Sequence, residues 1–471
     1  MSADASAIPA VLILGLLPWL VIILIQINQR GFLVLCIWLL TAPIAINIFN
    51  HPTSNPFFGS SASPDRIQQI LEPARLVFIA LVLVGAINAA MNNKRLTALD
   101  RTEMWMAVFS LVLLTNVLLK SRQVAFGLHV AVDAFMLPFT AYYLTRRLVR
   151  SELDLRRLIR VFGWLGFYLI GIALIEFNLS RLAYLHRLQG PFATRDLLYI
   201  VIMVAFFAML GLVGSKDYSK QKPALAPAIQ WFVVALAPVI IFLTWTRGNW
   251  LGFISGTWLA LFLGRQFFSP YVRVYAIGFT LILLPAVGFL ATQVSIPSDI
   301  EGRIADSFNA QGRLVTWRIA LESGSTNPIL GIGLNNLRDV LDANRINVPG
   351  TRSLTTHHNG FLGLFIELGA VGLFIYLLIV SSIIRTGLKI YRSGLDQADR
   401  WRGIVVIAMM IAYLIPGFFS TILYSPELSH IYVFAYAGGV AGLYGSRRRV
   451  QDMSRRSTTL ARPVLQVRPA S

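Results

Sequence analysis

The chain is 471 residues long, 56% hydrophobic and only 13% charged, with a mean hydropathy of +0.66. Soluble domains lie nearer half apolar and a quarter charged, so this composition excludes a soluble enzyme and indicates a polytopic membrane protein. A net charge of +19 would in a soluble chain point at nucleic acid, and the single cysteine, Cys36, excludes intrachain disulfides, Cys-ligated zinc and iron-sulfur clusters.

Taken in chain order, the first apolar run, near 8–27, has no basic n-region and no small-residue cleavage site, and a second run follows at once. It reads as a retained span rather than a signal peptide. Further spans are predicted near 31–49, 74–90, 104–119, 126–145, 161–177, 198–215, 231–246, 250–268, 275–292, 360–384, 403–423 and 431–446. The fold class is therefore all-α, a membrane helix bundle of about 13 spans. It divides into an N-terminal transmembrane region 1–292, a hydrophilic connection 293–359, C-terminal spans 360–446 and a basic tail 447–471. In the fifth span His129 and Asp133 are four apart and share a helix face, as a buried pair or as a proton relay.

Alternate connections divide the basic residues unequally, 27 on one side and 14 on the other of the 41 in the chain. Cytoplasmic loops retain Lys and Arg, so the bias predicts an outside N-terminus and a cytoplasmic C-terminal tail. The Arg-rich tail reads as disordered and in contact with anionic headgroups. Sidedness thus accounts for most of the charge without nucleic acid. Six of the 14 outer basic residues, the largest group, lie in the 293–359 connection, which is too long for a simple turn and reads as functional. Within it Leu314, Trp317 and Leu321 recur at helical spacing beside Arg313 and Arg318, and Gly324 with Asn327-Pro328 closes the pattern. This predicts an amphipathic helix lying at the membrane surface.

Three outer segments carry polar residues where apolar ones are expected. The first is Thr-Trp-Thr-Arg-Gly-Asn-Trp at 244–250, with Arg247 at the membrane edge. It reads either as a snorkelling interfacial arginine between belt tryptophans or as an anion contact. The second is Gly-Arg-Leu-Val-Thr-Trp-Arg at 312–318, either a solvated helix face or a second anion contact. The third is Thr-Thr-His-His-Asn-Gly at 355–360, where His357, His358 and Asn359 form a polar cap or supply a base near neutral pH. Two adjacent histidines without a third ligand make a poor metal site, so no metal is expected. Glu367, two turns into the following span, reads as a structural partner for a nearby arginine.

Together these segments resemble the O-antigen ligase and O-antigen polymerase superfamily of membrane enzymes. The family's Thr-x-Ser-Arg-Gly is matched at 244–248 with Thr246 in place of Ser. Its Gly-Arg then Trp is matched by Gly312, Arg313 and Trp317, and its Asn-Pro with Gly-x-Gly by Asn327, Pro328, Gly331 and Gly333. Its His-Asn then Gly-x-x-Gly is matched by His358, Asn359, Gly369 and Gly372. A weaker echo, Arg-Leu-Gln-Gly-Pro-Phe at 187–192, adds Arg187. The strong resemblance covers about residues 240–375.

The resemblance implies a large-loop architecture like the C-type glycosyltransferases and a donor glycan on undecaprenyl diphosphate at the outer face of a bacterial inner membrane. It implies Arg247 and Arg313 as diphosphate ligands, His358 as the base, and His357, Asn359, Arg318, Glu367 and Arg187 in support. The transfer would invert the anomeric carbon without a metal or other cofactor. Partners would be the lipid-linked glycan, membrane lipids and a chain-length regulator or export complex. Polymerisation of repeat units is the leading expectation and ligation to a lipid A core the alternative. A lipid-linked sugar flippase would spread charge through its spans and on both sides, and usually has pseudo-symmetric halves. An inactive scaffold in an export complex is disfavoured by the intact motifs.

Overall fold

A computed structural model of the chain describes residues 31–41, 99–180, 195–213, 227–244, 246–267, 307–343, 358–424 and 430–460. All regular structure among these residues is helical: α1 Gly31–Thr41, α2 Arg101–Lys120, α3 Val124–Leu148, α4 Glu152–Ser180, α5 Arg195–Val213, α6 Pro227–Leu243, α7 Arg247–Leu263, α8 Ser307–Ser325, α9 Asn336–Ala343, α10 Gly360–Ser393, α11 Gln397–Leu414 and α12 His430–Leu460. Short 3-10 turns at Ile415–Phe418 and Ile422–Tyr424 follow α11. Five helices are long and apolar enough to cross a membrane: α2, α3, α4, α10, and α11 with its extension to Phe418. The predicted spans near 8–27, 74–90 and 275–292 lie outside the described residues.

Small residues let the helix backbones approach. A Cβ on Gly252 of α7 would stand 2.6 Å from Ala412 O, and one on Gly256 2.6 Å from Ala408 O, so α7 lies directly on α11. Gly438 and Gly442 of α12 meet Tyr142 O and Arg146 O of α3 in the same way. Between apolar surfaces in lipid, close van der Waals packing of this kind replaces hydrophobic burial as the force for association. In α3, a π-helical stretch at Val132–Met136 interrupts the α-helix, and His129 Nε2 lies 3.8 Å from Asp133 Oδ2, a buried pair. The packed core includes Phe109, Phe135, Tyr376, Trp401 and Phe434, all essentially inaccessible.

Charge pairs close one end of the bundle. Arg146 and Arg147 of α3 bind Glu103 of α2, and Arg402 of α11 bridges Glu152 of α4 and Asp399. Arg447 of α12 reaches Asp396, which caps α11, and Asp399 at 2.8 Å. Burial acts to raise the Asp396 pKa, but the Asp399 N–H and the Arg447 guanidinium outweigh it and hold this carboxyl below its ordinary range. The basic tail is not disordered from its start as its composition suggested. α12 runs through Gly445 to Leu460, because Arg447 is recruited to the α11 cap and carries the helix beyond the apolar stretch.

Helix α8 forms where the sequence places it, stops at Ser325 and packs on the protein through a face of small residues. Thr316 and Ala320 are buried and Ala320 joins a small core with Leu337, Leu341 and Ile366, whereas Leu314 and Leu321 remain exposed. The face read as apolar in sequence is therefore turned away from α10.

Candidate active site

The site is built around a break in α10. Gly369 has φ 71° and ψ −175°, a conformation open essentially to glycine alone, so the long helix is two segments joined at that residue. The loop after α8 enters the break and replaces the missing helical hydrogen bonds. Ile332 N–H donates to Ile366 O (2.9 Å) and Gly333 N–H to Glu367 O (3.0 Å). Ala370 N–H donates to Pro328 O (2.8 Å) and Val371 N–H to Ile329 O (3.2 Å). The two chains touch backbone to backbone. A Cβ on Gly369 would lie 2.1 Å from Ile329 O, and one on Gly331, itself at φ 70°, would lie 2.2 Å from Glu367 O. The Asn-Pro, Gly-x-Gly and Gly-x-x-Gly segments are thus one interlocked junction.

The end of α2 clamps this junction, a feature that the sequence reading missed. Asn116 Nδ2 donates to Leu330 O (2.9 Å) and Glu367 O (3.2 Å), while its Oδ1 accepts from Leu334 N–H (2.9 Å). Lys120 Nζ donates to Gly331 O at 2.8 Å and Ser121 Oγ to Leu334 O at 2.6 Å. Asn336 returns the contact through Lys120 O and the Arg122 N–H. An amide inside an apolar run was the available signal, since a buried polar group in a span requires a partner. Glu367 is buried and accepts from the Leu337 N–H at the start of α9 (3.3 Å). Its partner is a helix N-terminus rather than the expected arginine, which suits a carboxylate because the first amides of a helix are unsatisfied and carry positive dipole.

Beyond the junction, three elements converge. Residues 418–420 lie between the starts of α7 and α10. Gly248 packs on Phe419, where a Cβ would find Phe419 Cβ at 3.0 Å. Gly360 N–H donates to Ser420 O at 2.9 Å, and the Phe361 and Phe418 rings are 4.4 Å apart. Arg247 and His358 each lie one or two residues upstream of these contacts, so their backbones flank the same short segment. Arg247 opens α7 and is exposed. Trp250, instead of facing outward as a belt residue, stacks on Phe242 at 4.2 Å and donates its Nε1–H to Phe242 O. Asn249 is fully buried, donating to Asp196 at 3.2 Å.

Arg313 comes from α8. Burial lowers its pKa, and the nearby Arg247 guanidinium lowers it further, which places two positive groups within electrostatic reach. Its Nε is buried with no hydrogen-bond partner among the described residues. Two guanidiniums held together with an unspent donor form an arrangement that an anion would relieve. His358 has a left-handed backbone, φ 46°, uncommon for a residue with a Cβ, and is half-buried. Asn359 spends its side chain capping α10, accepting from Leu362 N–H at 3.0 Å. Arg318, roughly 140° around α8 from Arg313 by helical geometry, is exposed and pairs with Glu322 at 2.8 Å. His357, Arg187 and Trp245 lie outside the described residues. Among the described residues no cluster of His, Cys, Asp and Glu could hold a metal ion.

All three polar segments and the glycine junction fall within one region of similarity, since residues 232–377 match the family model described as O-Antigen ligase. That stretch, about a third of the chain, is similar to the O-antigen ligase family. No curated protein matches the chain. The O-antigen ligase and polymerase superfamily comprises glycosyltransferase-like membrane enzymes, in keeping with the five span-length apolar helices. The matched stretch begins within α6 and ends in α10 just beyond the break, so it contains α7, α8, α9 and the loop that locks α8 onto α10. The clamp from α2 lies outside it.

Proposed function

We propose that the protein transfers a glycan from a polyprenyl diphosphate to a sugar hydroxyl, at a site formed by the starts of α7 and α10 and by α8. The observation that carries this reading is the buried, unsatisfied Nε of Arg313, whose pKa is lowered by burial and by the charge of Arg247. In glycosyl transfer from such a donor the bond between the anomeric carbon and the diphosphate oxygen breaks, and negative charge grows on the departing diphosphate. Guanidiniums fixed beforehand stabilise that charge without reorganising, and their forked donors match phosphate oxygens. The acceptor hydroxyl attacks the anomeric carbon from the opposite face, and its proton passes to His358, whose strained backbone fixes the imidazole at the mouth of α10. Direct displacement inverts the anomeric centre and needs no metal.

Polymerisation of undecaprenyl-diphosphate-linked repeat units into exopolysaccharide, capsule or O-antigen is the leading form of this activity. Ligation of finished polymer to a lipid A core is the second, favoured by the name of the matched family. In either case the site faces the outer side of the inner membrane and the α12 end lies in the cytoplasm, as the bias in basic residues supports. The test uses purified full-length protein and a synthetic undecaprenyl-diphosphate glycan. Release of undecaprenyl diphosphate that is lost in Arg247→Ala, Arg313→Ala and His358→Ala variants of normal thermal stability supports the assignment. Turnover unchanged in all three refutes it. A deletion strain separates the two forms: core bearing a single repeat unit identifies a polymerase, and long polymer retained on undecaprenyl diphosphate a ligase.

A further inference from the structure

A second site lies at the opposite, basic end of the bundle, between α1 and α4. There a cavity of about 700 Å³ is lined by Phe32, Leu33 and Cys36 of α1 and by Arg157, Arg160 and Val161 of α4. Its size falls in the range of small-molecule sites. Arg157 and Arg160 are three residues apart and so lie on one face of α4, and both are exposed among the described residues. The only carboxylate in the lining, Asp154, is largely committed elsewhere. Its Oδ2 accepts from the Ser151 N–H (3.1 Å) and hydroxyl (2.7 Å), and Asp154 Oδ1 stands 4.0 Å from Arg157. The carboxylate beside Arg157 is therefore already hydrogen-bonded within the start of its own helix.

Next to this charge the walls turn apolar. Leu33 and Ile37, one turn apart on α1, are 48% and 54% exposed, and Trp164 continues the Arg157 and Arg160 face of α4 at 43% exposed. Both helices start at the same end of the bundle, with Gly31 and Asp154 in one lining and Tyr168 reaching Leu40 O, so α1 lies alongside α4 as α4 passes from charged to apolar residues. Arginine and tryptophan on one helix face are the composition of a membrane interface.

We propose that this cleft binds an anionic phospholipid, with its phosphate between Arg157 and Arg160 and an acyl chain along Leu33 and Ile37. The shared chemistry is a phosphate, but the apolar run beyond the arginines selects one that carries a chain. The site is independent of the glycosyl-transfer reading, since none of its residues lies near α7, α8 or the start of α10. At the surface of an anionic leaflet, two basic residues give a preference of roughly 30-fold.

The full-length protein is reconstituted in nanodiscs of phosphatidylcholine with one tenth phosphatidylglycerol, and the lipids retained after extraction are counted by native mass spectrometry. The ratio of phosphatidylglycerol to phosphatidylcholine among the retained lipids should exceed that of the mixture by at least tenfold. That enrichment should vanish in Arg157→Gln/Arg160→Gln, persist in Arg392→Gln at another exposed basic position of the same end, and fall in Leu33→Glu, which blocks the chain without touching the arginines. Equal enrichment in the wild type and the double variant overturns the site. Enrichment lost from the double variant but kept in Leu33→Glu overturns the acyl-chain path. A rise in thermal stability produced by glycerol 3-phosphate as large as that by phosphatidylglycerol shows a soluble phosphate site and overturns the lipid assignment.

Discussion

Replacing Gly369 with alanine tests the junction at its tightest point. The new Cβ would stand 2.1 Å from Ile329 O and 2.3 Å from Ile329 C, far inside contact distance, and both are backbone atoms that cannot rotate away. The backbone conformation itself, φ 71° and ψ −175°, costs a non-glycine residue about 1–3 kcal/mol. Relief requires the loop to withdraw, which breaks the bonds from Ala370 N–H to Pro328 O and from Val371 N–H to Ile329 O. Each is worth about 0.5–1.5 kcal/mol, and more where a group remains buried without a partner. The combined loss is roughly 2–6 kcal/mol. Because membrane proteins commonly unfold irreversibly, the fitting measure is the half-life at fixed temperature together with donor turnover at a temperature where the variant persists. Both should fall, turnover by more than tenfold, since withdrawal of the loop carries α8 and Arg313 away from Arg247. Gly171→Ala, where an added Cβ meets nothing within 4 Å, is the control and should match the wild type. If Gly369→Ala retains wild-type half-life and turnover, the interlock does not hold the site together.

Removing one arginine of the pair, by Arg247→Ala or Arg313→Ala, should lower turnover by about 10²–10³, the usual effect of deleting a fixed donor to developing charge. Arg313→Lys should not restore it, because an ammonium lacks the planar fork. Asn116→Ala takes their side-chain partner from the Leu334 N–H and the Leu330 carbonyl, while Glu367 O keeps the Gly333 N–H, a loss of roughly 2–4 kcal/mol visible as a lower melting temperature. Combined with Gly369→Ala it should be less than additive, since both release the same loop. Turnover should fall on acidification through the range where an imidazole gains a proton, and His358→Gln should abolish that fall along with most of the activity. Arg402→Ala, which takes the buried cation from Glu152 and leaves Asp399 with Arg447 alone, should destabilise by about 1.5–3 kcal/mol, whereas breaking the exposed Arg318 pair should cost less than about 0.5 kcal/mol as read by thermal unfolding.

Much of this organisation is legible in the residues. Apolar runs near 104–119, 126–145, 161–177, 360–384 and 403–423 coincide with α2, α3, α4, α10 and α11 because hydrophobic length is a direct physical requirement for crossing lipid. Arg247 and Arg313 could be chosen because charge at a span mouth has to be explained by something. What did not show was which backbone groups pair across long separations. Gly369 and Gly331 stood out as letters of a pattern, but nothing local reveals that each occupies space the other's chain needs. Asn116 lies 214 residues from Leu330, and no periodicity links them. The face of α8 that packs on α10 did not show in the sequence because Thr316 and Ala320 are small and weakly hydrophobic. Close approach to α10 selects for size, while a hydropathy pattern follows Leu314 and Leu321. Glu367 was assigned a cation, as charge counting suggests, whereas a helix terminus supplies the same positive potential without any basic residue.

The break in α10 also bears on how this chain enters a membrane. A helix that stops hydrogen-bonding to itself at Gly369 exposes amide and carbonyl groups at the level of its own apolar stretch, where lipid offers no substitute. The loop at 327–336 and Asn116 of α2 supply those partners, so the span is not a self-sufficient insertion unit. The loop precedes α10 in the chain, and the clamp on α2 is made earlier still. Both are therefore synthesised before the helix that depends on them. Substitutions at Gly331 or Gly369 should then appear first as protein that fails to accumulate in the membrane, ahead of any change in chemistry.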